Sequence, residues 1–276
     1  MKIICVGDRV GRGVYRVHSR FSRAANFLRG EELASLVSEE VGRGPVNIVF
    51  AGDELPAGDD LEIGGRHLKV GGSSFSLAEA EVYDSRWTPG AVDRETLEIN
   101  LAALEEYLRE KAPPESLVFL LDPGRGEAGD SSFRGRLEAR ARSAAENLFR
   151  PEADLVAGCR RFRGLGSGLT PAGDDFVAGV LAALGVLERL DDNDRSELKG
   201  EIAAAVRCEN PLSNSFISLA ASGRFFERLK NLLDALSAAD PAEVRRRAGE
   251  LLAFGASSGS DLASGLVLTW KNLSVA

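Results

Sequence analysis

The sequence predicts an α+β protein, with a β-rich region at 1–92 packed against a mainly helical region at 93–276. Three observations predict this. Short apolar runs separated by Gly, Pro and Asp fill the first ninety residues, as strands and turns would. From Asp93 onward, apolar residues recur at helical spacing. A Gly-rich segment near 164 then opens a long apolar helix.

The strands come first. Ile3–Val6, Val14–Val17, Asn47–Phe50, Leu61–Ile63, His67–Val70 and Glu81–Tyr83 read as short strands. Ile63-Gly64-Gly65-Arg66-His67 reads as a hairpin, its glycines able to take positive φ. Pro56–Asp60 reads as a turn. Asp93 suits a helix N-cap, and Leu97, Leu101, Leu104 and Leu108 follow on one face. Pro113-Pro114 ends that helix. Leu117–Leu121 is a continuous apolar run and reads as a buried strand, followed by a loop at 122–126. From about Phe133 the chain reads as mostly helical. Loops are expected near 164–170, 191–194, 209–213 and 255–259, with Ser213 or Asn214 as an N-cap.

Composition narrows the function. The 276 residues carry a net charge of −8, which argues against a general nucleic-acid binder. No run approaches the ~18 apolar residues of a membrane span, and the N-terminus does not read as a secretion signal. Cys5, Cys159 and Cys208 form no Cys-x-x-Cys, so neither a disulfide framework nor a thiolate zinc site is indicated, and a reducing cytoplasm is expected. Most cations are Arg, the residue suited to bidentate grip on carboxylate or phosphate. They concentrate in the first thirty residues and around 131–163.

The richest stretch is Gly164-Leu-Gly-Ser-Gly-Leu-Thr-Pro-Ala-Gly-Asp-Asp-Phe-Val-Ala-Gly179. Three alternate glycines give a permissive backbone. Thr170 suits an N-cap and Pro171 the first helical position. A Gly-rich loop feeding a helix start presents N–H groups and a partial positive charge, which suits an anion. The segment is neither a P-loop nor a dinucleotide fingerprint, since the Gly-Lys-Ser/Thr ending and the glycine spacing are absent. The bland reading is a tight loop before a buried helix, with Asp174 and Asp175 complementing the dipole.

Gly173-Asp-Asp-Phe-Val-Ala-Gly-Val180 has an echo in Gly259-Ser-Asp-Leu-Ala-Ser-Gly-Leu266. Asp175 matches Asp261 and Gly179 matches Gly265. Asp and Gly four apart share a helix face, and each Gly lets another backbone approach. Gly255, Ser257 and Ser258 precede the second copy, so two helix N-termini are expected to converge on one pocket. The two histidines, His18 and His67, have no metal-ligand spacing, and Ser167 stands in the wrong frame for a nucleophile elbow. A Ser-His-Asp hydrolase is therefore poorly supported.

The 164–179 run, Gly255–Gly265, and Val17-His-Ser-Arg-Phe-Ser-Arg-Ala-Ala-Asn26 together resemble the DUF2877 family. Ser167, where that family often has Pro, and Ala172, where it often has Ser, are departures. The resemblance implies a subunit of oxamate carbamoyltransferase in allantoin degradation, working beside FdrA-like and DUF1116 subunits. The implied reaction converts oxalurate and phosphate to oxamate and carbamoyl phosphate.

These readings make Asp174, Asp175 and Asp261 the candidate catalytic residues. Gly166, Ser167, Gly168, Leu169, Thr170, Ser257, Ser258, His18 and Arg20 are the candidate substrate or anion contacts, with Arg12, Arg16 and Arg23 as further choices for a charge-neutralising Arg. No cofactor is indicated with certainty; Mg²⁺ on Asp174 or Asp175 is the open option. The rivals are a non-catalytic scaffold subunit and an Mg²⁺-dependent hydrolase.

Overall fold

Burial alternates strictly along Asp60–Ile63 and His67–Val70, so each strand sends every second side chain, Leu61, Ile63, Leu68 and Val70, into one core. In a computed structural model, which describes residues 1–52, 54–88, 90, 92–122, 133–149, 154–238 and 240–273, the chain has the predicted α+β architecture. It divides into two units: Met1–Trp87 with Arg224–Glu227, and Thr88–Gly223 with Arg228–Ala276.

The first unit holds strands β1 (Ile3–Gly7), β2 (Gly13–Arg20), β3 (Ala24–Arg29), β4 (Glu32–Ser38), β5 (Asn47–Phe50), β6 (Asp60–Ile63), β7 (His67–Val70), β8 (Ser73–Ser76) and β9 (Glu81–Tyr83). They form one sheet in the order β8-β7-β6-β2-β3-β4-β5-β1-β9. The β4–β5 and β1–β9 pairs are parallel and the rest antiparallel. Tyr15, Phe27, Leu36, Ile48 and Phe50 fill its core. The segment Arg224–Glu227 is held by Phe225 N–H donating to Ser85 O (2.9 Å), Tyr83 OH donating to Phe225 O (3.0 Å), and an Arg224–Asp8 ion pair.

The six expected strands are present. Three more, β3, β4 and β8, escaped the pattern: β4 is buried at six successive positions, and β8 is Ser-Ser-Phe-Ser. The Ile63–His67 hairpin forms, but Gly64 and Gly65 keep negative or extended φ. The turn closes through Gly64 N–H to His67 O (2.9 Å), and positive φ falls on Gly71 and Gly72 instead.

The second unit contains α1 (Arg94–Lys111), α2 (Phe133–Leu148), α3 (Leu155–Phe162), α4 (Ala172–Asp191), α5 (Ser196–Ala205), α6 (Pro211–Ala221), α7 (Glu227–Ala238), α8 (Pro241–Leu252) and α9 (Ser258–Leu273). Asp93 caps α1, accepting from Thr96 N–H at 2.8 Å, and all four expected leucines of that helix are buried. Leu117–Leu121 is a 3₁₀ helix, not a strand. Ser116 caps it, and Leu117, Leu120 and Leu121 are buried while the residues between are not, the three-residue period of that helix. The expected loop at 122–126 lies outside the described residues from 123 onward. Asn210, not Ser213 or Asn214, caps α6: its Oδ1 accepts from Leu212 N–H (3.0 Å) and Ser213 N–H (3.4 Å), with Pro211 in the first turn.

Helices α4 and α9 share the most extensive contact in this unit. Every residue from Phe176 to Leu184 is buried, as is Gly259–Val267. A helix apolar on all sides must be central, and α4 is.

Candidate functional site

Phe162 ends α3 and stacks on Phe176 of α4, with centroids 4.2 Å apart, so the intervening loop starts and finishes on one fixed core. Gly164, Gly166 and Gly168 take φ of +68°, +103° and +109°, a region in which only glycine is comfortable. The three alternate glycines are therefore what lets so short a loop fold. Leu165 points inward, its N–H donating to Phe162 O (3.0 Å) and its carbonyl accepting from Gly173 N–H (2.8 Å). Ser167, Gly168 and Leu169 face solvent.

Thr170 is not the N-cap of α4, and Pro171 is not its first helical residue. Pro171 stands at the cap position, and its carbonyl accepts from Asp174 and Asp175 N–H (2.9 and 3.2 Å). Thr170 Oγ1 instead donates to Asp175 Oδ2 (3.1 Å) and lies 3.5 Å from Ser258 Oγ. The starts of α4 and α9 thus meet at these two hydroxyls. Asn210 Nδ2 donates to Leu169 O (2.7 Å) and ties the far end of the loop to α6. Asn210→Ala removes both this tie and the cap. A loss of ~1 kcal/mol or more is expected in a urea titration.

The carboxyls differ in environment. Asp174 is 2% exposed; its Oδ1 accepts from Gly164 N–H (2.8 Å), while Oδ2 has no hydrogen-bond partner. Burial raises its pKa, against the pull of Gly164 N–H, the Ser213 hydroxyl beside it and Arg163. The Ser213 hydroxyl itself makes no hydrogen bond of ordinary geometry. Asp175 keeps partial contact with solvent. Burial pushes its carboxyl up to about 8; the hydroxyls of Ser258 and Thr170 oppose this, and the charges of Asp261 and Asp174 add to it. Asp261 is fully buried and is pushed up to about 7 by burial, against Leu117 N–H and Ser257. Its Oδ1 accepts from Leu117 N–H at 2.6 Å; Oδ2 has no partner.

The structure therefore brings together Asp174, Asp175, Asp261, Thr170, Ser257 and Ser258 with the loop at 164–170, all in the second unit. His18 and Arg20 belong to the first unit. His18 sits at a β-bulge between Val17 and Ser19, exposed, with Nδ1 3.2 Å from Ser19 Oγ. Ser19 accepts from Asn26 Nδ2 (3.0 Å), and Asn26 Oδ1 accepts from Ser35 Oγ (2.7 Å), a polar chain running into the sheet. Arg20 donates to the carbonyls of Pro56 (3.2 Å) and Gly58 (2.6 Å); Arg16 and Arg23 pair with Asp60 and Glu40. Among the described residues, no three of His, Cys, Asp and Glu are grouped as a metal-ligand set.

Sequence reasoning missed the Leu117 N–H, because a main-chain donor leaves no mark in a sequence. Ser213 reads from the sequence first as a cap and second as a ligand contact. The Ser19–Asn26–Ser35 chain could have been suspected from polar residues in otherwise apolar strands.

The family model described as oxamate carbamoyltransferase subunit AllH matches residues 162–270. The match begins on the last residue of α3 and runs through the loop, α4 and most of α9, so it covers every candidate residue of the second unit. The expected resemblance to that subunit is shown over this span. No curated protein and no solved structure matches the chain. No helix among the described residues is long and apolar enough to cross a membrane.

Proposed function

We propose that this protein is a subunit of an oxamate carbamoyltransferase-type enzyme, and that it binds a small anion or carbamoyl compound where the 164–170 loop meets the starts of α4 and α9. The observation that carries the proposal is the match over 162–270, which coincides with the segment holding the buried carboxyls. The chemistry supports it. Oxalurate is an amide-rich monoanion, and phosphate is the acceptor. Helix starts favour the anionic parts, while carboxyl groups suit amide N–H donors. In the reaction, a phosphate oxygen bonds to the carbamoyl carbon, the carbon–nitrogen bond to the oxamate nitrogen breaks, and that nitrogen takes a proton. Asp175, with its raised pKa, is the proposed proton-holding group. FdrA-like and DUF1116 chains are the proposed partners, and the three unpaired cysteines support a reducing cytoplasm as its place.

The scaffold reading retains one supporting observation. The N–H groups of Gly164, Leu165 and Gly173 already bond within the protein, so loop hydrogen bonding has a structural use. Anion binding then falls to Gly166–Thr170.

Two measurements test the proposal. Mixed with FdrA-like and DUF1116 subunits, the chain is expected to be required for carbamoyl phosphate formation from oxalurate and phosphate; formation without it would sink the proposal. Alone, it is expected to show a rise in Tm at roughly tens of millimolar phosphate by mass action. Gly168→Val, strained at φ +109°, should abolish that rise. A folded Gly168→Val protein with an unchanged shift would give first place to the scaffold reading.

A further inference from the structure

The echo between Gly173–Val180 and Gly259–Leu266 is a repeat of structure. Ala172 and Ser258 are the first residues of α4 and α9, and Asp175 and Asp261 are the fourth of each. Asp175 N–H bonds Pro171 O, and Asp261 N–H bonds Ser257 O, the matching residue. A Cβ on Gly173 would collide with Phe162 O near the end of α3, and one on Gly259 with Leu251 O near the end of α8. Across the helix pair, Gly179 leaves no room for a Cβ against Leu262 O, and Gly265 none against Phe176 O. Phe176 and Leu262 are themselves matching residues, so the contact is reciprocal, as an approximate two-fold relation requires. The repeating unit is helix–loop–helix: α3–α4 and α8–α9.

The two copies differ in their loops and in what their aspartates hold. The span from Phe162 to Gly173 is three residues longer than that from Leu251 to Gly259. In the short-loop copy, the Asp261 carboxyl is sealed and holds a main-chain amide, Leu117 N–H, at 2.6 Å. In the long-loop copy, Asp175 has partial contact with solvent, and its partners among the described residues are the hydroxyls of Thr170 and Ser258. Beside it, Asp174 Oδ2 and the neighbouring Ser213 Oγ make no hydrogen bond of ordinary geometry, and neither do Asp261 Oδ2 and Ser260 Oγ in the short-loop copy. Buried polar atoms without partners are rare, and at both helix starts they leave hydrogen-bonding capacity in reserve.

We infer that the Asp175 carboxyl takes an amide N–H of a bound ligand, as its counterpart Asp261 takes the amide N–H of Leu117, making the long-loop copy a site for primary amides and ureides. The short-loop copy carries its own internal occupant, which shows the class of group the arrangement accepts. The inference rests on the reading of the loop as a ligand site and adds the chemistry that selects the ligand.

Oxamate and oxalate test it, since they differ by one carboxamide in place of a carboxylate. The comparison is made on the full chain at pH 9, above the value of about 8 to which burial pushes Asp175, so the carboxylate only accepts. Oxamate is expected to raise Tm at concentrations at least ~ten-fold lower than oxalate, because a site built for an N–H rejects an analogue lacking it. Asp175→Ala, which removes the acceptor, should lose the preference. Equal response to the two ligands in the wild type overturns the inference whether or not the variant folds, and so does a preference retained in a folded Asp175→Ala protein. A shift with phosphate but with neither organic ligand overturns the amide site and leaves the anion site standing. No shift with any of the three overturns both.

Discussion

Gly179→Ala and Gly265→Ala are each expected to destabilise the second unit severely, and Gly179→Leu and Gly265→Leu to prevent folding. At both positions the added Cβ would lie well inside 3.0 Å of a main-chain carbonyl oxygen of the opposite helix. A side-chain neighbour could rotate away, but a carbonyl moves only if its helix moves. Separating α4 from α9 would loosen the largest contact of the unit and the meeting of Thr170 with Ser258. Overpacking usually costs ~1–3 kcal/mol, occasionally more, and a backbone obstruction belongs at or above the top of that range. Gly185 supplies the control. It lies in the same helix with nothing within 4 Å of an added Cβ. Gly185→Ala should stabilise by up to ~1 kcal/mol through helix propensity alone. Urea midpoints for the three alanine variants would check the expectation; similar midpoints for Gly179→Ala and Gly185→Ala would refute it.

Both glycines were legible in the sequence because spacing reports what shares a helix face. The same reasoning found α1 from its leucines and located the loop from its alternate glycines. It failed where local pattern and tertiary setting diverge. Leu117–Leu121 has the composition of a buried strand, yet no strand of the second unit is described for it to pair with, and Ser116 caps it as a 3₁₀ helix. β4 was missed because burial on both faces removes the alternation that marks a strand. Thr170 looked like a cap because Thr before Pro usually is one; its hydroxyl is drawn instead to Asp175. The carboxyls at the site were found, but not their partners, since Leu117 lies 144 residues from Asp261 in sequence and contributes only its main chain.

Asp261 leads to the second expected result: stability should fall as pH rises from about 5 to about 8. For a carboxyl raised by burial the sign is the reverse of the usual salt-bridged case. Burial pushes Asp261 up to about 7 in the folded protein, from 3.8 for a free carboxyl, so between these values the native state binds a proton that the unfolded chain does not. Its contribution is full below about 4 and is lost as pH climbs through 7. At ~1.4 kcal/mol per pH unit, this contribution is on the order of a few kcal/mol. Asp175 at about 8 acts in the same direction and carries the decline further. The lowered groups, such as Asp191 and Glu243 at about 2, act in acid, below this window. Asp261→Asn keeps an oxygen for Leu117 N–H and removes the titration, so it should flatten the slope between pH 5 and 8 while retaining the fold. The comparison is of slopes from urea titrations at several pH values, not of absolute stabilities. A wild-type stability that stays level or rises across that window, or an unchanged slope in Asp261→Asn, would show that the Leu117 N–H outweighs burial and holds Asp261 as a carboxylate.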